Sequence, residues 1–113
     1  MLLRDTIVDG LLDGKAKDVV CLDMRKIDGS VCDYFVIGHG DSATHIEGIN
    51  RAVYKKCINV LKEKPWKEEG KSNCEWILMD YVNVIAHIFY KDTRFIYNLE
   101  ELWGDAPQKK YQF

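Results

Sequence analysis

The run Gly38-His39-Gly40-Asp41-Ser42 is where residue types and spacing come nearest to a catalytic pattern. Glycines that end an apolar run and open a helix leave backbone N–H groups able to hold a phosphate. Nucleotidyltransferase sites begin in a similar way, but they need paired carboxylates on a strand soon afterwards to hold metal ions. This chain offers Glu68-Glu69 beside a turn and a single Asp80, with no Asp-x-Asp. A nucleotidyltransferase-like enzyme using the Gly38–Ser42 turn is therefore the alternative reading, and plain capping by Asp41 or Ser42 the simpler one. His87 and Asp80 make a second candidate, in which a carboxylate orients an imidazole. Ser30, Ser42 and Ser72 all fall in loops or caps, so that pair lacks a nucleophile for a hydrolytic triad. Cys21, Cys32, Cys57 and Cys74 have no C-x-x-C spacing and no paired histidines nearby. Neither a metal site nor a cofactor is expected.

The elements that must position these residues are legible from periodicity. Leu3, Ile7 and Leu11 step by four, with Val8 and Leu12 beside them, which is a helix stopped at Gly14. Val19–Met24 reads as a strand. Tyr34–Ile37 reads as a second strand, apolar on both faces and hence central, broken by Gly38, His39 and Gly40. Ile46, Ile49, Val53, Cys57 and Val60 mark the longest helix, which Pro65 ends. Gly48 costs that helix about 1 kcal/mol against Ala, which implies a close backbone contact with the sheet. Trp66–Glu69 suits a short edge strand. Glu75–Tyr81 and Val84–Tyr90 are two strands about the tight turn Val82-Asn83. Asn98 opens a short helix with Glu101 completing a capping box, and Gly104 and Pro107 terminate it. The order αββαβββα specifies an α/β (α+β) fold. It is a single domain over residues 1–106, a five-stranded mixed sheet with helices packed mainly on one face. Residues 107–113 follow as a short C-terminal tail, expected to be mobile from Gln108.

If Tyr81 lies opposite Val84, then Met79 faces Ala86 and Ile77 faces Ile88 on the side that packs under the long helix. The other side carries Trp76, Leu78, Asp80, Ile85, His87 and Phe89. Two helices cover one face of such a sheet but hardly both. Either this second face binds a partner, as contiguous apolar patches with aromatic anchors do, or the segment with Phe95, Tyr97 and Trp103 folds back over it. Homodimerisation through the same face is a third reading.

Composition narrows the function classes. With 16 basic and 18 acidic residues the net charge is -2, against the basic surplus that nucleic-acid wrapping requires. Arginine, the residue of bidentate phosphate recognition, is confined to Arg4, Arg25, Arg51 and Arg94. Direct nucleic-acid binding is not expected as the main activity. At 47% apolar and 30% charged the chain is neither a disordered segment nor a membrane protein. No apolar stretch approaches a membrane span, and Met1–Asp5 turns charged too soon for a signal peptide. Free cysteines in apolar patterns fit the reducing cytoplasm.

Together these residues resemble the Iojap family, that of the bacterial ribosomal silencing factor RsfS. The resemblance starts at Asp18-Val19-Val20, Asp23–Lys26 and Asp33–Ile37, and continues through Gly40-Asp41-Ser42, His45, Ile46, Ile49 and Ala52-Val53. It is strongest in Glu69-Gly70, Trp76–Tyr81 and Val84–Phe89, and closes with Tyr97–Ala106. The resemblance implies a nucleotidyltransferase-like fold without the catalytic carboxylates, and a protein that is not an enzyme. It implies binding to the large ribosomal subunit through ribosomal protein L fourteen, where the small subunit would dock. Subunit joining would be blocked and translation repressed when nutrients are short; organellar relatives assist large-subunit assembly. The partner-binding residues it points to are Trp76, Leu78, Asp80 and Tyr81, with Ile85, His87 and Phe89 on the adjoining strand. This chain departs from the family in Thr44 and Glu47, where basic residues are frequent, and in Val82-Asn83, where glycine-aspartate is common.

Overall fold

Leu3, Ile7, Val8 and Leu11 form one stripe of α1 (Leu2–Asp13), and Ile46, Ile49, Val53 and Cys57 one stripe of α2 (Ala43–Leu61). Both stripes bury against the same sheet face and make the main core with Val19, Val36, Ile77, Met79, Ala86 and Ile88. The structure, a computed structural model, describes residues 1–111.

The sheet contains β1 (Lys17–Asp23), β2 (Tyr34–Gly40), β3 (Lys67–Glu69), β4 (Trp76–Asp80), β5 (Val84–Tyr90) and β6 (Gln108–Tyr111). Their spatial order is β3-β4-β5-β2-β1-β6. β2 and β5 pair in parallel at the centre, and the other neighbours are antiparallel. The sheet thus has six strands rather than five. The sixth comes from the segment expected to be a mobile tail: Gln108 to Tyr111 pair with Leu22 to Val19. The sequence Gln-Lys-Lys-Tyr has no alternating apolar pattern, and the strand is held by backbone hydrogen bonds at an edge, where lysines discourage further pairing. Gln112 and Phe113 of the expected tail lie outside the described residues.

β2 also runs further than its residue types suggest. Gly38, His39 and Gly40 stay in the strand, paired with Ile88, Phe89 and Tyr90 of β5, with His39 also opposite Lys17 of β1. Two neighbouring strands satisfy this backbone and outweigh the entropy that glycine loses there.

The hairpin register is the expected one: Met79 faces Ala86, Ile77 faces Ile88, and the Tyr81 N–H donates to the Val84 carbonyl at 2.9 Å. The turn is tight enough to hold Val82 at φ +74°, with the Asn83 N–H donating to the Tyr81 carbonyl. A β-branched residue is strained in that conformation.

The second sheet face is closed by α3 (Lys91–Tyr97), α4 (Leu99–Leu102) and the loop after β1. Val20, Leu22, Met24, Phe35, Ile37, Ile85 and Phe89 form a second core there with Leu99 and Ala106. α1 and α2 do share one face, but α3 and α4 lie on the other. The close backbone contact with the sheet expected of Gly48 is absent; it is Gly10 of α1 that approaches closely, against α2. A Cβ on Gly10 would sit 2.7 Å from the Val53 Cα, whereas one on Gly48 would meet nothing within 4 Å.

Candidate partner-binding site

β4 alternates half-buried and buried residues, so Trp76, Leu78 and Asp80 share the face opposite α2. Trp76 is the centre of the arrangement. Its ring stacks on Phe89 at 4.9 Å between centroids and packs against Tyr97 at 4.7 Å. Its indole N–H donates to His87 Nδ1 at 3.1 Å. Phe35 meets the same imidazole edge to face at 4.7 Å. Enclosed in this way, His87 is held neutral: burial pushes its pKa down to about 4. Since Nδ1 accepts from Trp76, the ring proton is on Nε2, which is buried and meets no acceptor among the described residues.

The carboxylate expected to orient His87 does something else. Asp80 Oδ1 accepts the Val82 N–H at 2.7 Å and so braces the strained turn. The tight turn brings the Val82 N–H onto that carboxylate, and Trp76 takes the histidine. Tyr81 is buried on the α2 side, in the main core, and does not reach the rim of the opposite face. Ile85, His87 and Phe89 are also buried, covered by the second core. They back the surface rather than form it. Trp76, Leu78 and Asp80 keep part of their area in solvent, with Trp103 and Tyr97 beside them. Tyr97 was legible in the sequence only as an aromatic of a covering segment; its contact with Trp76 depends on where α3 lands.

Gly70 fixes the approach to β4. Its φ is +83°, and a Cβ there would collide with the Trp76 carbonyl oxygen, so only glycine lets the preceding loop pass so close.

The Gly38–Ser42 region is a capped helix start, with Ser42 as the N-cap of α2. Ser42 Oγ accepts the His45 N–H at 3.1 Å, and the Asp41 N–H donates to His45 Nδ1 at 3.2 Å. His45 Nε2 then reaches the Lys15 carbonyl at 3.0 Å, and the Asp41 carboxylate pairs with Lys17 at 2.8 Å. Two backbone donors at this helix start, the Asp41 and His45 N–H groups, are thus engaged by the chain's own side chains. His39 is buried, and its Nδ1 accepts from Arg94 at 2.8 Å. Burial and then the Arg94 charge lower its pKa. Asp41 and Asp80 stand at opposite ends of the sheet, since Gly40 pairs with Tyr90 and Asp80 with Ile85. That is about 16 Å of strand, too far for two carboxylates to share metal ions. Among the described residues, no three histidine, cysteine or acidic side chains converge on one point.

A family model described as "ribosomal silencing factor during starvation" matches residues 3–113. The chain belongs to the ribosomal silencing factor family. The ribosomal silencing factor RsfS of Bacillus subtilis is 41% identical over 102 residues, covering 89% of this chain and 84% of that protein. A crystal structure of a Bacillus halodurans protein has a TM-score of 0.82 at 34% identity, covering 96% of this chain and 97% of that one. A mouse protein named for mitochondrial assembly of the ribosomal large subunit is 31% identical over 101 residues, covering 88% of this chain and 44% of its own length. As a ribosomal silencing factor the chain is a regulator of translation. No helix among the described residues is long and apolar enough to cross a membrane.

Proposed function

We propose that this chain docks on the large ribosomal subunit through the Trp76–Leu78–Asp80 row, on ribosomal protein L fourteen, and there keeps the small subunit from joining. The observation that carries the reading is that row itself: a half-exposed tryptophan and leucine held on a stiff sheet by buried Phe89, Ile85 and His87. A large aromatic anchor with a polar neighbour on a pre-organised surface has the anatomy of a binding hot spot. Family membership, and a relative whose name refers to large-subunit assembly, support that subunit as the partner. Its cytoplasmic ribosomes would be the place of action. Silencing of this kind is steric, so no residue needs to perform chemistry. The nucleotidyltransferase-like frame then serves as a scaffold, in keeping with the separation of Asp41 from Asp80 and with the capping of α2 by Ser42.

The test is binding of purified protein to purified large subunits, paired with an assay of subunit joining. Trp76→Ala should weaken binding by roughly thirtyfold and relieve the block, the scale of a hot-spot loss of about 2 kcal/mol. Circular dichroism must first show that the variant is folded. A folded Trp76→Ala protein that binds and blocks normally would move the contact to another surface.

A further inference from the structure

A cavity of about 520 Å³ lies between the β1–β6 edge of the sheet and the α3–α4 segment. Val20, His39 and Lys110 line it from the strands, and Arg94, Phe95 and Glu100 from the helices. Clefts of this size hold small organic molecules. Two polar residues in its walls are buried, His39 at 5% and Arg94 at 8% exposure. Arg94 in turn holds two groups whose bonding is incomplete. His39 Nδ1 accepts from Arg94 Nη1 at 2.8 Å, so the imidazole proton is on Nε2. No hydrogen bond among the described residues uses that N–H. Glu100 Oε2 accepts from Arg94 Nη2 at 3.3 Å, while Glu100 Oε1 is buried without a partner. An unpaired buried oxygen costs free energy, and here it stands with an unused donor in the walls of one cavity.

The remaining walls restrict the chemistry of a ligand. Arg94 is neutralised by Glu100, and Asp18 offsets Lys110, so the charged residues of the walls cancel and a phosphate finds no surplus cation. Phe95, 75% exposed, and Tyr111 add aromatic rings, which stack on planar molecules. An uncharged planar ring with an N–H donor and a carbonyl or ring-nitrogen acceptor on one edge matches these groups. Its acceptor takes the His39 N–H. Its N–H meets Glu100 after a turn of the terminal carboxylate, which is a soft torsion. The volume leaves room for a sugar beside the ring. We propose that this cavity binds a nucleobase presented as an uncharged nucleoside, its edge on His39 and Glu100 and its ring on Phe95. The site is separate from the docking row, since Trp76, Leu78 and Asp80 line no part of the cavity.

The experiment follows backbone amide resonances of the full chain during titration with adenosine, guanosine, cytidine and uridine, each up to its solubility limit. Their monophosphates and free amino acids are titrated in parallel. At least one nucleoside should give saturable shifts at Val20, His39 and Phe95, and its monophosphate should bind no more tightly. Phe95→Ala changes an exposed side chain and should weaken that binding by about tenfold, the scale of one lost stacking contact. No saturable shift with any of the four nucleosides, shifts that map away from the cavity, or unchanged binding by folded Phe95→Ala would overturn the site. A monophosphate that binds about tenfold tighter than its nucleoside, or an amino acid that binds where nucleosides do not, would overturn the ligand class. Should Phe95→Ala fail to fold, the titrations of the parent protein decide.

Discussion

The indole N–H of Trp76 donates to His87 Nδ1 at 3.1 Å, a diagonal bond between neighbouring strands, since Trp76 pairs with Phe89 and Leu78 with His87. The bond fixes the tautomer of a buried histidine and the orientation of a half-exposed tryptophan at once. A partner meeting Trp76 therefore meets a ring that loses little freedom on binding, which favours affinity.

Burial of His87 makes stability depend on pH with a definite sign. Its ordinary pKa of 6.5 falls to about 4 in the fold, so between those values the unfolded chain binds more protons. Stability is complete above about pH 6.5 and is lost as pH falls toward 4, by about 3 kcal/mol for this group. Urea unfolding at several pH values should show the loss, and His87→Gln should lack this part of it. Parallel slopes for the two proteins would mean that His87 protonates freely in the fold.

Val82 is strained at φ +74°, and glycine relieves it. Val82→Gly should raise stability by about 1 kcal/mol, the left-handed penalty less the extra entropy of glycine. The urea midpoint should rise with an unchanged slope. The Asp80 bond to the residue 82 N–H is kept in the variant, so an unchanged or lower midpoint would show that the strain costs no more than the extra entropy of glycine.

Two helical glycines should respond in opposite directions. Gly48→Ala adds a methyl group into open space and should stabilise by about 1 kcal/mol. Gly10→Ala places one 2.7 Å from the Val53 Cα and should destabilise by roughly 1–3 kcal/mol through separation of α1 and α2. Thermal melts of the two variants moving the same way would contradict the helix packing.

Arg94 ties α3 and α4 to the sheet. Arg94→Met leaves Glu100 without its cation and His39 Nδ1 without a donor. The loss should be roughly 2–3 kcal/mol, short of a fully buried pair because Glu100 keeps one side in solvent. Amide exchange should quicken in residues 91–103 before it does in β4 and β5. Uniform quickening across the chain would indicate that the cluster holds the whole fold instead.

Much of the fold follows from local pattern. The stripes of α1 and α2, the capping Ser42 and the register of β4 on β5 are written in periods of 3.6 and 2, which depend on near neighbours alone. The same alternation placed Trp76, Leu78 and Asp80 on one face and Tyr81 on the other. Family membership, too, was legible in runs such as Trp76–Tyr81 and Tyr97–Ala106.

What the pattern could not determine was which distant groups meet. β6 has no apolar rhythm, and only the free edge of β1 makes Gln108–Tyr111 a strand. Asp80 was expected to orient His87, and the turn geometry gave it the Val82 N–H instead. Gly10 and Gly48 are alike in sequence terms, and their difference arises from which helix faces approach. Whether the second face stayed open was decided by where Arg94 anchors α3: Phe89, Ile85 and His87 became buried, and Trp76 and Leu78 stayed half in solvent. Residue order encodes preference for burial and for local backbone shape, whereas closure over a face depends on long-range contacts formed only when the whole chain is packed.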